Sequence, residues 1–150
     1  MDNLHKVDEW LAALLANLEP AARQRMMREL AQELRRNQQN NIRLQRNPDG
    51  SGYEPRKVTA RTKKGRIKRQ MFSKLRNTKY LKTVASADSA SVQFIEDVER
   101  IARVHHFGLR EFIGKNGRAI KYSKRRLLGL NKKSNNTIID TLLKWISNDS

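Results

Sequence analysis

The stretch that most constrains this fold is residues 91–108, where β-branched and aromatic side chains are concentrated more than anywhere else in the chain. Val92 and Phe94 lie two positions apart, which is the spacing of side chains on one face of a strand. We interpret the stretch as two strands of an antiparallel sheet that turn near residues 97–100 and end at Gly108.

A helix is the alternative for the second half of this stretch. Val98, Ile101 and Ala102 also fit the spacing of three and four that places side chains on one face of a helix. Periodicity alone does not separate the two states in a short apolar run, so both interpretations stand on the sequence.

The positive charge of the chain is concentrated in two segments. The 150 residues include 32 Lys or Arg and 15 Asp or Glu, a formal net charge of +17. Residues 55–87 contain 12 basic residues and residues 115–133 contain 8, and neither segment contains an acidic residue. Such a surface attracts polyanions or acidic protein faces, and the attraction weakens as salt is added.

Composition excludes several functional classes. The absence of cysteine removes zinc–cysteine sites, iron–sulfur clusters and thiol nucleophiles, and it fits a protein matured in a reducing compartment. The sequence has neither a run of about 18 apolar residues nor a signal-peptide pattern at its start. We therefore expect a cytoplasmic, soluble protein that folds without metals or disulfides.

Apolar residues spaced three and four apart predict three longer helices. The first begins after a cap at Asp2 or Asn3, and the second spans residues 20–45 with a far half that is almost wholly polar. The third begins at a cap formed by Ser134 or Asn135. The shorter predicted elements are a helix over residues 67–77, a strand over residues 78–85, a turn over residues 87–89 and an edge strand or extended arm over residues 122–130.

This order of elements predicts an α+β fold, with N-terminal helices and a C-terminal helix packed on a small antiparallel sheet. We expect a single domain with a helical part over residues 1–46, a basic loop or arm over residues 47–69 and a helix–sheet–helix core over residues 70–150. The arm would be ordered by a partner that neutralises its charge, and a solvated loop is the alternative.

No constellation of residues predicts catalysis or metal binding. His105 and His106 are adjacent, so on a strand they would face opposite sides of the sheet and would not share a metal. Glu96, Asp97 and Glu99 are a candidate Mg²⁺ cluster, for which a solvated turn is the simpler interpretation. Because the sequence also lacks a nucleophile elbow and a phosphate loop, we predict no enzymatic activity and no cofactor.

Residues 112–121 form the sharpest local motif, Phe-Ile-Gly-Lys-Asn-Gly-Arg-Ala-Ile-Lys. The motif resembles the glycine-bounded basic loop of KH domains, which clamps the backbone of single-stranded nucleic acid. A KH domain needs a helix on each side of that loop. A KH-like nucleic-acid-binding module is therefore an alternative function, and a flexible glycine turn is the simpler structural interpretation.

Several separated segments are specific in combination and span about residues 4–145. They are Leu18-Glu19-Pro20-Ala21-Ala22-Arg23, Asn47-Pro48-Asp49-Gly50, Tyr53-x-Pro55-Arg56-Lys57, Lys64-Gly65-Arg66-Ile67, Met71-Phe72-x-Lys74-Leu75-Arg76, Ile101-Ala102-Arg103-Val104-His105-His106-Phe107-Gly108-Leu109 and Arg126-Leu127-Leu128-Gly129. The order of these segments resembles that in the phage virion morphogenesis family, the tail completion proteins of contractile-tailed bacteriophages.

The resemblance implies a structural virion protein that completes the tail and forms the head–tail junction, as a tail terminator or neck ring subunit. It implies a homo-oligomer, usually a hexameric ring, with tail tube or sheath protein and head connector proteins as partners. Genomic DNA in the lumen is a further candidate partner, and no membrane is involved. Such a protein would be made in the host cytoplasm and reside in the tail or neck of the virion. A basic DNA-packaging or chaperone-like accessory is a further alternative.

Two sets of residues are candidates for these contacts. Clustered Lys and Arg without interleaved aromatic residues contact phosphates or acidic side chains rather than base edges. The partner or polyanion-binding candidates are Arg56, Lys57, Arg61, Lys63, Lys64, Arg66, Lys68, Arg69, Lys115, Arg118, Lys124, Arg125 and Arg126. The subunit-interface candidates are His105, His106 and Phe107.

Overall fold

The structure is a computed structural model that describes residues 18–56, 70–113 and 117–148, together with Glu9, Ala12, Ala13 and Ala16, which are helical. Its elements confirm the predicted α+β class. The predicted first helix lies largely outside the described residues, as does most of the basic arm. The elements are α1 (Pro20–Arg43), β1 (Leu81–Ala85), β2 (Ala90–Phe94), α2 (Glu96–Phe107), β3 (Arg110–Ile113), β4 (Arg118–Lys121) and α3 (Lys132–Asn148).

The described strands form two separate two-stranded sheets. β1 and β2 are joined by a turn in which the backbone N–H of Ser86 donates to the carbonyl of Ser89 at 2.8 Å. This hairpin confirms the predicted strand and turn, although the strand begins at Leu81 rather than at Thr78. The antiparallel pair of β3 and β4 was not predicted, and its register places Phe112 opposite Ala119.

Helix α2 shows that the two-strand prediction for residues 91–108 was wrong beyond β2, and that the helical alternative was right. Glu96, Asp97 and Glu99 lie in its first turn, where negative charge stabilises the helix dipole. Gly108 then ends the helix in the left-handed conformation, with φ of 65°. The acidic cluster therefore marks the start of a helix rather than a turn between strands.

The described part of the predicted helix over residues 67–77 is a series of turns. Phe72 has φ of 63°, which a right-handed helix does not contain. The carbonyl of Met71 accepts a hydrogen bond from Gln45 Nε2 at 2.9 Å, so this segment is held by the chain that follows α1.

The other helix predictions are close to the observed boundaries. α1 ends at Arg43, two residues before the predicted end. α3 begins at Lys132, two residues before the predicted cap, and Ser134 is buried within its first turn. Of the two options for residues 122–130, the structure has the extended arm, because no helix or strand is formed there.

The chain forms two compact units. The first comprises residues 1–34, 83–92 and 132–150. Its described core contains the buried side chains of Leu18, Met26 and Leu142, with Ile138 and Trp145 packed against them. Around this core, Trp145 Nε1 and Lys144 Nζ both contact the carboxylate of Glu29.

The second unit comprises residues 35–82 and 93–131. Its core is the cluster of Ile42, Tyr53, Leu75, Ala102 and Leu127. Gln38 is a buried polar side chain of this unit, only 4% exposed, and its Oε1 accepts a hydrogen bond from the Gly129 N–H at 2.9 Å. Within the described part of the chain, no helix has the length and apolar character needed to cross a bilayer.

Candidate interaction surface

The second unit contains a groove of about 340 Å³ that is lined mainly by aromatic and apolar side chains. We call it the aromatic groove. Its residues come from the turns that follow the arm, the end of α2 and the end of β4. They are Arg56, Met71, Phe72, His105, Ile120, Lys121, Tyr122, Ser123 and Arg125.

Four rings pack in a continuous row, and three of them, Phe72, His105 and Tyr122, line this groove. Tyr53 meets Phe72 at 5.7 Å between ring centroids, and Phe72 meets His105 at 5.0 Å. His105 in turn meets Tyr122 at 4.7 Å, and all three contacts are edge-to-face. Each such pair contributes about 0.5–1.5 kcal/mol beyond the burial of its area, so the row gives the groove a defined wall.

Phe72 holds a strained backbone at the centre of this row. Its φ of 63° is rarely adopted by an aromatic residue and persists only where the surroundings determine it. Strained residues of this kind concentrate at functional sites, which makes the groove the leading candidate surface of the described chain.

The rim of the aromatic groove is positively charged. Arg56, Lys121 and Arg125 line it, and no acidic side chain is among the described lining residues. Arg125 is only 7% exposed, and its guanidinium donates to the carbonyls of Glu54 at 2.7 Å and Pro55 at 3.0 Å. Arg125 therefore fixes residues 54 and 55 of the basic arm beside the groove, while Lys124 and Arg126 are exposed.

The two histidines lie in the last turn of α2 and not on a strand. His106 Nδ1 accepts a hydrogen bond from the Leu127 N–H at 3.2 Å, so this nitrogen carries no proton. Burial lowers the pKa of His106, and the nearby Arg126 and Lys124 lower it further. Burial likewise lowers the pKa of His105, with a further contribution from Arg125. Both side chains are neutral above their usual pKa.

Among the described residues, these histidines have no neighbours with which they could form a metal site. In the described ranges, no group of three or more His, Cys, Asp or Glu side chains is placed to hold a metal ion. Glu111 instead forms an ion pair with Arg100. Phe107, the third predicted interface residue, is 57% exposed and packs edge-to-face on His106 at 4.6 Å.

The remaining predicted partner-binding residues are placed only in part. Arg118 lies on β4. The others lie outside the described residues: Lys57, Arg61, Lys63, Lys64, Arg66, Lys68, Arg69 and Lys115.

The KH-like motif spans a β-hairpin. β3 precedes the loop and β4 follows it, and the two strands pair antiparallel. A KH loop needs helices at these two positions, so the fold removes the structural basis of the single-stranded nucleic-acid alternative.

A second groove, of about 450 Å³, was missed by the sequence analysis. We call it the arginine groove. One wall is the far half of α1, whose polar residues at positions 36, 39, 40 and 43 share one helix face, and this spacing was the available signal. The groove is lined by Arg36, Gln39, Asn40, Arg43, Ser73, Arg76 and Asn77.

Comparison with known proteins agrees with the resemblance found in the sequence. The sequence profile of the phage virion morphogenesis family matches residues 2–147. Tail completion protein S of Escherichia phage P2 is 40% identical over 131 residues, which are 86% of this chain and 87% of that protein. No solved structure matches the chain significantly. With nearly its whole length matched, the chain belongs to the phage virion morphogenesis family.

Proposed function

We propose that this chain is a subunit of a ring that completes the tail of a contractile-tailed phage and forms the surface to which the head connector binds. The observation that carries the proposal is the aromatic groove, which lies in the same unit as exposed apolar side chains of α2 and β3. A groove and a projection at different places on one chain make a heterologous contact, and such contacts can close into rings.

Family membership makes the chain a structural component of phage assembly and not an enzyme. Its role is in tail assembly, its place is the virion tail, and its partners include other tail proteins. The ring, its hexameric stoichiometry and the junction with the head belong to the proposal.

The β3–β4 hairpin supports a head-to-tail contact between copies. Phe112 is 72% exposed, and the neighbouring pair of Glu111 and Ile120 places its side chains on the other face of the hairpin. Ile120 lines the aromatic groove. One face of the hairpin therefore borders the groove while the opposite face presents Phe112, and we expect Phe112 of one copy to enter the groove of the next.

Unpaired strand edges offer a second kind of contact between copies. Each described sheet has two strands, so every strand has one edge without a partner among the described residues. Such edges pair readily with a strand of a neighbouring subunit. A ring would satisfy these edges around its whole circumference.

The charge of the chain supports acidic partners. A formal net charge of +17 per chain is multiplied in a hexamer, and the resulting repulsion requires compensation. We infer that residues 56–69 and 115–133 meet acidic surfaces of tail or connector proteins, or DNA that enters the lumen. In addition to Arg56, the exposed Lys124 and Arg126 belong to this set.

The oligomer is tested by light scattering on the purified chain at about 0.15 M salt. We expect a ring-sized species with weak oligonucleotide affinity, and Phe112→Ser should dissociate it. Leu130→Ser is the matched control, because Leu130 is 64% exposed on a loop of the same unit. A chain that stays monomeric and binds single strands tightly would contradict the proposed ring, whereas a Phe112→Ser ring as stable as wild type would contradict the Phe112 contact.

The junction is tested in mixed extracts of phage heads and tails. Neutralising Lys63, Lys64, Arg66, Lys68 and Arg69 with glutamine should leave folding intact and abolish joining of heads to tails. Arg25→Gln with Arg28→Gln, two exposed positions on α1, is the control.

Electron micrographs of particles made without the chain should show overlong or unattached tails, and normal attached tails would refute the role.

A further inference from the structure

The arginine groove is a concentration of positive charge that the proposed ring contact does not use. Arg36 and Arg43 reach it from α1, and Arg76 reaches it from the turns after the arm. None of its seven described lining residues is acidic. The groove therefore brings three guanidinium groups together around a space that is suited to an anion.

The walls of the groove are held in place by a direct hydrogen bond. Gln39 Nε2 donates to the carbonyl of Arg76 at 2.8 Å, which connects α1 to the facing turn. The Nε of Arg76 is buried and has no hydrogen-bond partner among the described residues. A buried donor in this state is costly, so Arg76 would gain a hydrogen bond if its side chain turned toward an acceptor in the groove.

The amide side chains of the groove add further donors. The Oδ1 of Asn40 already accepts from Arg43 at 2.7 Å, and the Oδ1 of Asn77 accepts from the Lys79 N–H at 3.0 Å. Each amide oxygen has thus used one of its two lone pairs, and the N–H groups of these side chains are donors that a ligand could use. The lining thus presents mainly donors, as a site for carboxylate oxygens requires.

We propose that the arginine groove binds carboxylate side chains on an extended acidic segment of a partner protein. The concave shape favours a protein segment over DNA, because a double helix is too wide to enter a space of about 450 Å³ and would touch only its rim. None of the described lining residues is aromatic, which also removes base stacking on them as a source of affinity. This inference does not depend on the ring.

The test is the binding of a fluorescein-labelled poly-glutamate peptide to the full chain at about 0.15 M salt. The double variant Arg36→Gln, Arg43→Gln loses the charge-assisted hydrogen bonds of two guanidinium groups. It should therefore bind the peptide more weakly by about tenfold or more. Arg25→Gln with Arg28→Gln removes the same charge from exposed positions of the same helix and should change the affinity by less than about twofold. Circular dichroism verifies that both variants are folded.

A second measurement locates the peptide. The side-chain Nε–H resonance of Arg76 should shift when poly-glutamate is added and stay in place with poly-glutamine of equal length. Equal weakening in both double variants would overturn the proposal, as would unchanged binding by the Arg36→Gln, Arg43→Gln chain. A shift caused by duplex DNA or inorganic phosphate, with none from poly-glutamate, would assign the groove to phosphate instead. Because these readouts use single chains, failure of the ring would leave them unaffected.

Discussion

The guanidinium of Arg125 donates to the carbonyl of Glu54 at 2.7 Å and thereby joins two segments 71 residues apart in the sequence. Arg125 is buried, so its hydrogen bonds to backbone are shielded from water. A hydrogen bond that involves a charged group contributes about 1.5–3 kcal/mol, so Arg125→Met should lower the free energy of unfolding by about 2 kcal/mol. Urea denaturation measures this change.

The neighbouring residue provides the control for this prediction. Arg126 is exposed, and its recorded hydrogen bonds to Asn47 and Tyr53 are made by its backbone. Arg126→Met removes the same charge and should change the stability by less than about 0.5 kcal/mol. Equal effects of the two substitutions would show that charge, and not the Arg125 hydrogen bonds, sets the stability.

The core of the second unit depends on Ile42, which is fully buried near the end of α1. Ile42→Ala should destabilise the chain by about 2–5 kcal/mol, because it removes buried methyl groups and leaves a cavity. Leu44→Ala two residues later is the comparison, since Leu44 is 43% exposed and should lose less than about 1 kcal/mol. Thermal or urea unfolding that ranks the two in the opposite order would contradict this assignment of the core.

Elements defined by their own periodicity were predictable, whereas those defined by distant contacts were not. The buried side chains of Gln38 and Ile42 follow the helical spacing of α1, which the sequence shows directly. α2 was misassigned because its β-branched residues were given more weight than the acids that begin it and the glycine that ends it. The signals that define this helix were therefore present in the sequence.

The functional surfaces were harder to predict because residues that are distant in the sequence form them. The aromatic groove depends on Phe72, and no local sequence pattern predicts the left-handed backbone of this residue. The arginine groove combines Arg43 with Arg76, and the two are brought together only by folding. The basic segments were visible in the sequence, but which of their residues turn inward, as Arg125 does, was not.

Gly108 ends α2 with a left-handed backbone, and it lies where a larger side chain would clash with Lys124. A Cβ at this position would lie 2.9 Å from the backbone N of Lys124, and φ is already 65°. Gly108→Ala should therefore cost more than the roughly 1–2 kcal/mol of the left-handed backbone alone. Gly117→Ala isolates the backbone cost, because φ there is 63° and no atom of the described residues lies within 4 Å of the added Cβ. If urea unfolding shows the same loss of free energy in both variants, contact with Lys124 does not add to the cost at Gly108.

Protonation of the two histidines should destabilise the second unit at mildly acidic pH. The hydrogen bond from Leu127 N–H needs an unprotonated Nδ1 on His106, and burial lowers the pKa of both His105 and His106 below the usual 6.5. The unfolded chain therefore binds protons more readily than the folded chain does. The histidine contribution to stability is complete above pH 6.5 and is lost as the pH falls from there through the folded-state pKa values.

The double variant His105→Phe, His106→Gln tests this pH dependence, because phenylalanine keeps an aromatic ring in the row and glutamine retains an acceptor for Leu127 N–H. Urea unfolding between about pH 7.5 and 5.5, the range in which histidines titrate, should show a smaller loss of stability in the variant than in the wild type. The test compares how steeply the free energy of unfolding changes with pH, so a change in stability that is equal at every pH does not affect it. Identical slopes would mean that other groups cause the acid sensitivity, and that the neutral state of these histidines does not stabilise the fold.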